Sequence, residues 1–304
     1  MKNDRFKKVP VIVDVDDDKY ETPGFLTKIL RIPLIFVLNL LPKHLAQKVF
    51  LFQCESNGNK RIIFNNIGTY RALEVLYTFP ERKNAKETTS FDNFWDRILN
   101  NVRAVRNRLR LVERLITDAI DEKIKEGKQE IKLLSLGSGS ARAVIESIAP
   151  FNGKVKLNVG LIDLSREAIN FSRKLAKEHN LDGLITYHRD YAQNLEKYYK
   201  NADLDIIEMV GLLDYYPDLH AINLISKIYK VLSPGGWLIT CNISPNFESP
   251  FITRGINWRM IYRTPEELRE VLVRGGFSPK DITLILEPLR IHVVAVCKKP
   301  PQVA

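Results

Sequence analysis

The 304-residue sequence predicts a doubly wound, mostly parallel α/β sheet preceded by an N-terminal helical region. Three observations predict it. From residue 131 onward, short apolar runs alternate with amphipathic stretches. Before that point, apolar positions recur at helical steps of three and four. The last two apolar runs are separated only by Pro288 and Leu289, so they must form an antiparallel hairpin, expected at the sheet edge.

Composition sets the limits. At 45% hydrophobic and 27% charged, the chain is an ordinary globular protein, neither disordered nor fibrous. Cys54, Cys241 and Cys297 are scattered without a CxxC pair, which argues against a disulfide scaffold or a zinc site and fits a reducing cytoplasm. The first residues are polar and VPVIVDVDDDKYE is acidic, so no signal peptide is expected and residues 1–22 read as a flexible leader. The net charge is +10, with most of the excess before residue 130. It could attract nucleic acid, a membrane surface or an acidic substrate. A solvated lysine-rich surface is the plainer reading, because no basic run is interleaved with aromatics.

Residues 23–128 form the helical region, as a lid or acceptor-binding element. Gly24–Phe52 is apolar, but its uncharged core, Ile32–Pro42, falls far below the roughly 20 residues needed to span a bilayer. Pro33 and Pro42 punctuate it, against one continuous helix. Either its helices pack on the main domain, the preferred reading, or they lie at an interface with Lys28, Arg31, Lys43 and Lys48 near lipid headgroups. Cys54–Arg61 is a turn-rich break, Ile67–Phe79 resumes helical spacing, and Pro80–Ser90 reads as a loop. Phe91–Ile124 reads as one long amphipathic helix with room for a single break, ended by Gly127.

The main domain, 129–304, supplies seven strands: 131–136, 156–164, 184–190, 204–210, 236–243, 281–287 and 290–298. Helices are expected at 141–149, 165–179, 219–232 and 265–275. Near-continuous apolar strands between helices mean a sheet covered on both faces.

Four strand ends carry the chemistry. The first runs into Gly137-Ser138-Gly139-Ser140-Ala141-Arg142 and then a helix, so backbone and unpaired N–H groups can approach a ligand. Arg142 at the sixth position speaks against a dinucleotide fingerprint. The second strand ends at Asp163-Leu164-Ser165. Asp163 lies in the crevice where open sheets bind ligands and could accept two ribose hydroxyls, while Ser165 suits the helix cap. The third ends His188-Arg189-Asp190-Tyr191, with Asp190 placed for an adenine amino group and Tyr191 for its ring, or simply a surface turn. The fourth delivers Glu208 and Met209, where Glu208 could meet a methionine moiety or pair with an arginine.

Taken in order, LSLGSGSAR, GLIDLS, HRDY, LDIIEMV and LSPGGWL resemble the motifs of class I S-adenosylmethionine-dependent methyltransferases over residues 131–300. The resemblance implies a Rossmann-like fold, S-adenosylmethionine as cofactor, and cofactor contacts at Gly137, Ser138, Gly139, Asp163, Leu164, Asp190, Tyr191, Glu208 and Met209. Two departures weaken the contacts to the amino-acid end of the cofactor. The acidic residue expected two before the first glycine is Ser135, and the third glycine is Ala141. Arg142 or a residue from the N-terminal region is a candidate substitute. A narrower likeness joins GLLDYYPD, CNISPNF and INWRMIYRTPEEL. It is similar to methyltransferases that esterify hydroxy fatty acids in bacterial signalling.

Methyl transfer from a sulfonium needs alignment and a dry site, and a base only for a protonated acceptor. A carboxylate acceptor needs none and could be held by an arginine. Asp214, Tyr215, Tyr262 and Arg263 are the catalytic candidates beside the acceptor; Trp258 and Tyr262 have core roles as alternatives, and Arg263 a pairing with Glu266 or Glu267. Arg103, Arg106 and Arg110 could also reach the pocket, or form a solvated face. The expected reaction is methyl transfer to a small molecule, a carboxylate or lipid-like compound, with no metal. An RNA methyltransferase using the basic N-terminal half and a non-catalytic protein of the same fold are the rival readings.

Overall fold

The computed structural model describes residues 10–52, 54, 58–200 and 203–301. A strand comes first, β1 (Val11–Val13). Seven helices follow: α1 (Phe25–Leu40), α2 (Lys43–Phe50), α3 (Asn59–Asn65), α4 (Tyr70–Tyr77), α5 (Phe79–Asn84), α6 (Ser90–Ile98) and α7 (Asn100–Lys125). The alternating part comprises β2 (Glu130–Leu136), α8 (Arg142–Ile148), β3 (Lys156–Asp163), α9 (Arg166–Glu178), β4 (Ile185–Arg189), β5 (Leu204–Met209), α10 (Asp218–Val231) and β6 (Leu232–Ile243). Last come the short α11 (Ser249–Phe251), α12 (Pro265–Arg274), β7 (Ile282–Leu286) and β8 (His292–Lys298).

The sheet order is β1-β7-β8-β6-β5-β2-β3-β4. Strand β8 runs antiparallel to both β6 and β7, and the other pairings are parallel. The doubly wound class and its C-terminal hairpin are therefore as expected, but eight strands are present among the described residues instead of seven. The hairpin is not the edge either, because β1 pairs with β7 outside it. A three-residue strand is too short for an alternation pattern to register.

Both sheet faces are dry. On one, Leu111, Val112, Leu115, Ile116, Ala119 and Ile120 of α7 join α8 and α9 over the strands. On the other, α10 and α12 cover them through Ala221, Leu224, Leu268 and Leu272. Helix α7 has 26 residues, about 39 Å at 1.5 Å per residue, and it covers the sheet instead of standing apart from it.

Several local expectations are corrected. Residues 10–22 are no loose leader: the Asp14 carboxylate accepts from Tyr20 Oη at 2.8 Å and pairs with Arg114. Glu21 pairs with Arg106 at 2.5 Å and Arg110 at 3.2 Å, so the acidic stretch neutralises an arginine row on α7. Residues 1–9 lie outside the described residues. The long helix breaks at Leu99, whose backbone is extended (φ −89°, ψ 112°). Pro80 does not mark a loop; it sits in the first turn of α5, where its missing N–H leaves no bond unmade. Helix α1 runs through the exposed Pro33 and stops before Pro42.

Candidate functional site

The chain runs outward through β2, β3 and β4, then returns to lay β5 on the other side of β2. That reversal opens a crevice at the carboxyl ends of β2 and β5, where open sheets hold ligands. A cavity of about 490 Å³ occupies it, roofed by α2, α3, α4 and α6.

One end of the cavity is built from backbone. Gly137 (φ 62°) and Gly139 (φ 55°) adopt left-handed conformations. A Cβ on Gly137 would stand 3.2 Å from Leu212 Cδ1, so the turn tolerates little else there. Ala141 takes the same conformation (φ 54°) although it carries a side chain, so the lost third glycine changes residue but not shape. Asp163 accepts from Gly139 N and Ser165 N, both at 2.8 Å, and so fixes the turn it faces. Ser165 caps α9 through Ala168 N at 3.2 Å, as expected. Ser138 Oγ is buried with no partner among the described residues.

The missing acid at Ser135 has a local answer. Ser135 sits opposite Glu208 in the β2–β5 register, and its hydroxyl donates to the Glu208 carboxylate. A carboxylate thus stands beside that position, on the neighbouring strand β5. Burial pushes Glu208 up to about 7, against the hydrogen bonds from Ser135 and Val210 and the charge of Arg108. Arg142 is not the substitute. It is held by Glu74 of α4 at 2.6 Å and by Glu146 at 2.5 Å, and so ties the roof to α8.

Leu164, Asp190 and Tyr191 line the same end. The Asp190 carboxylate is already surrounded: Tyr191 N, Asn194 Nδ2, Lys197 Nζ and Tyr198 Oη donate at 2.6–3.1 Å. Those bonds, Asn194 first, hold it well below the usual carboxylate range. His188 stacks on Tyr198 at 4.0 Å, the role of an ordinary strand residue. Met209 is corrected: strand alternation turns it away from Glu208 into the opposite core, fully buried and off the cavity wall.

The other end is mainly apolar, walled by Phe50, Ile63, Trp95, Val102, Ile252 and Ile256, with Lys60, Asp92 and Asp96 also in its lining. Between the two ends lies Arg108, 3% exposed. Its Nη2 donates to Tyr77 Oη at 3.1 Å and its Nη1 reaches only the Cys241 sulfur at 4.0 Å. Among the described residues its Nε has no partner, and neither does either nitrogen of the buried His292 on the same wall. Burial opposes the Arg108 charge, yet Tyr77, Cys241 and Asp214 around it hold its pKa above the ordinary value. Burial and then Arg108 drive His292 well down, so the imidazole is neutral.

The four catalytic candidates separate. Asp214 and Tyr215 line the cavity. The Asp214 carboxylate accepts from Ile243 N at 2.8 Å, and burial raises its pKa to about 6. Tyr215 Oη accepts from Trp258 Nε1 at 2.7 Å. Tyr262 and Arg263 are corrected: neither reaches the cavity wall. Arg263 is 2% exposed, and Asp218, Leu213 O, Asn242 Oδ1 and Tyr216 O occupy its guanidinium. It clamps the loop after β5. Arg103, Arg106 and Arg110 are also off the wall; Arg106 is buried against Glu21 and Asp96. Arg108 was missed because spacing cannot tell which arginine of a row lacks an acid.

Residues 70–299 match the model of a family described as "Putative methyltransferase". Among solved structures, the fold resembles a possible exported protein from Bordetella parapertussis, 18% identical, covering 92% of this chain and 100% of that one with a TM-score of 0.62. It also resembles an O-methyltransferase family protein from Burkholderia thailandensis (13% identity, 91% and 72% covered, TM-score 0.52). A third likeness is to the S-adenosylmethionine-dependent methyltransferase SibL (14%, 88% and 77%, TM-score 0.52). At such identities these likenesses concern the fold. No curated protein matches the sequence.

Proposed function

Because the chain belongs to this methyltransferase family, with S-adenosylmethionine its expected cofactor, we propose that it methylates the carboxylate of an apolar, lipid-like small molecule. The observation that carries this reading is Arg108, a buried guanidinium that, among the described residues, has no carboxylate in ion-pair contact, Asp214 acting on it only through its charge, and that stands at the mouth of a mainly apolar chamber. Leaving such a charge unpaired away from water is costly, so the site favours an anionic group that completes it.

The donor set suits the cofactor. Asp163 would accept from ribose hydroxyls and Glu208 from an ammonium, while the turn Gly137–Gly139 and the Ser138 hydroxyl, without a partner among the described residues, leave room and a hydrogen bond for the rest. When bound, the cofactor supplies a methyl group already activated on sulfur. The protein's own part is then positional. Arg108 and Tyr77 orient the acceptor carboxylate, Asp214 keeps Arg108 charged, and Phe50, Trp95 and Ile252 exclude water from the acceptor's apolar body. No proton has to be removed from a carboxylate. A second reading rests on His292: a hydroxyl acceptor would need a base, and this neutral, unpartnered imidazole is the group available. The narrower likeness to hydroxy-fatty-acid esterifying enzymes agrees with the first reading, and buried thiols at Cys241 and Cys297 agree with a cytoplasmic setting.

The test is transfer of labelled methyl from S-adenosylmethionine to a series of long-chain carboxylic acids and their matching primary alcohols. The expected product is the methyl ester, reduced in Arg108→Gln and unaffected in His292→Gln. Methylation of the alcohols alone, lost in His292→Gln, would replace the carboxylate reading with the hydroxyl one.

A further inference from the structure

Helix α1 is inside out. Arg31 and Asn39 face the protein: Arg31 pairs with Glu248 and donates to Ile98 O at 3.1 Å. Asn39 donates to Phe247 O at 2.7 Å and accepts from Phe251 N at 3.0 Å. Only Ile35 and Leu38 of its apolar residues are buried. The outward arc, roughly 160° at 3.6 residues per turn, carries no polar side chain; Lys28 at its margin is the one exposed polar residue of the helix.

Phe25 at 80% and Phe36 at 56% exposure, with aromatic side chains offering about 150–250 Å² each, leave on the order of 200–300 Å² open. Leu26, Leu30, Val37 and Leu40 extend that patch past what a monomeric soluble surface ordinarily carries. Protein interfaces interleave hydrogen-bonding groups with apolar ones, and this arc has none to offer. Hydrocarbon matches it better.

Charge points the same way. Between Glu21 and Glu55 the chain has no acidic residue and four lysines and arginines, Lys28, Arg31, Lys43 and Lys48. Lys28, Lys43 and Lys48 are exposed beside the patch, where anionic headgroups would meet them. No helix among the described residues is long and apolar enough to cross a membrane. The patch continues over Val49, Phe52 and Phe94 into a groove of about 340 Å³, which shares Trp95 with the wall of the central cavity.

We propose that α1 lies flat in the surface layer of an anionic membrane, with its outward arc in the acyl region and Lys28, Lys43 and Lys48 at the headgroups. This docking stands on the faces of α1 and α2, and holds whatever the methyl acceptor is.

Co-flotation of the full chain with phosphatidylcholine vesicles, with and without phosphatidylglycerol, tests it. Binding to the mixed vesicles is expected. It should fall at least about tenfold in Leu30→Asp/Phe36→Asp, and in Lys43→Glu/Lys48→Glu on mixed vesicles only. Phe25→Ser, at the exposed first turn, should weaken binding without touching the helix interior. Unfolding midpoints and S-adenosylmethionine affinity should not move in any of them, which separates this outcome from failure of the methyl-transfer reading. A chain that stays in solution with both vesicle types overturns the proposal. So does undiminished binding by Leu30→Asp/Phe36→Asp, or a dimer in sedimentation that this variant dissociates without any vesicle binding. Equal binding to neutral vesicles, unmoved by the lysine variant, overturns the headgroup assignment.

Discussion

The two ends of the central cavity are made in opposite ways. At the Gly137–Asp163 end, residues at neighbouring strand ends satisfy one another, the Asp163 carboxylate accepting from the backbone of Gly139 and Ser165, and the Ser138 hydroxyl is left without a partner among the described residues. At the Phe50–Trp95–Ile252 end, the wall is assembled from α2, α6 and the insertion after β6, about 45–200 residues apart in the chain. It is held by one polar knot: the Glu248 carboxylate accepts from Asn100 N at 2.7 Å and Asn101 N at 2.9 Å, and pairs with Arg31. A carboxylate at the start of α7 also meets the positive end of that helix. The first end can keep its shape while the second changes.

The largest expected effect breaks the comparison at that knot. Glu248→Ala takes the carboxylate from a half-buried guanidinium and two N–H groups, and should lower stability by about 3 kcal/mol in denaturant unfolding. Next, Arg108→Gln should sharpen it: methyl transfer to a carboxylate acceptor falls roughly hundredfold, while S-adenosylmethionine affinity stays within about twofold, read from kinetics and direct titration.

Glu208 joins the ends through its charge. Because burial holds it up to about 7, it is neutral below that pH and anionic above, so attraction for an ammonium should grow as pH rises. S-adenosylmethionine binding is expected to tighten by up to about tenfold across that range, and Glu208→Gln should be weak and flat. The same shift acts on folding with the opposite sign. The folded state holds the proton more tightly, so this contribution to stability is fullest below the ordinary glutamate pKa and is lost as pH rises through about 7.

The smallest effect is local. Ala141 pays for a left-handed conformation that glycine adopts freely, so Ala141→Gly should cost nothing or stabilise by up to about 1 kcal/mol in thermal unfolding.

What the sequence made legible follows the same division. Gly137, Asp163 and Ser165 could be read because their geometry depends on residues beside them and on the ends of strongly apolar strands. Met209 was misread where strand alternation already distinguished it from Glu208. Arg108 and His292 could not be found that way. On α7, Arg106 and Arg108 differ by two positions, about 200° around the helix, and only tertiary contacts decide that Glu21 and Asp96 pair with the first while, among the described residues, no acid comes within ion-pair distance of the second. The three-residue β1 was hidden for a related reason, since its pairing with β7 joins positions about 270 residues apart.

The most direct measurement is calorimetric titration of S-adenosylmethionine into the wild-type chain, Asp163→Ala and Arg108→Gln. Micromolar binding by the wild type and by Arg108→Gln, lost in Asp163→Ala, is the predicted result. Undiminished binding by Asp163→Ala, or its loss in Arg108→Gln while the protein stays folded, would contradict the division of the cavity into a cofactor end and an acceptor end.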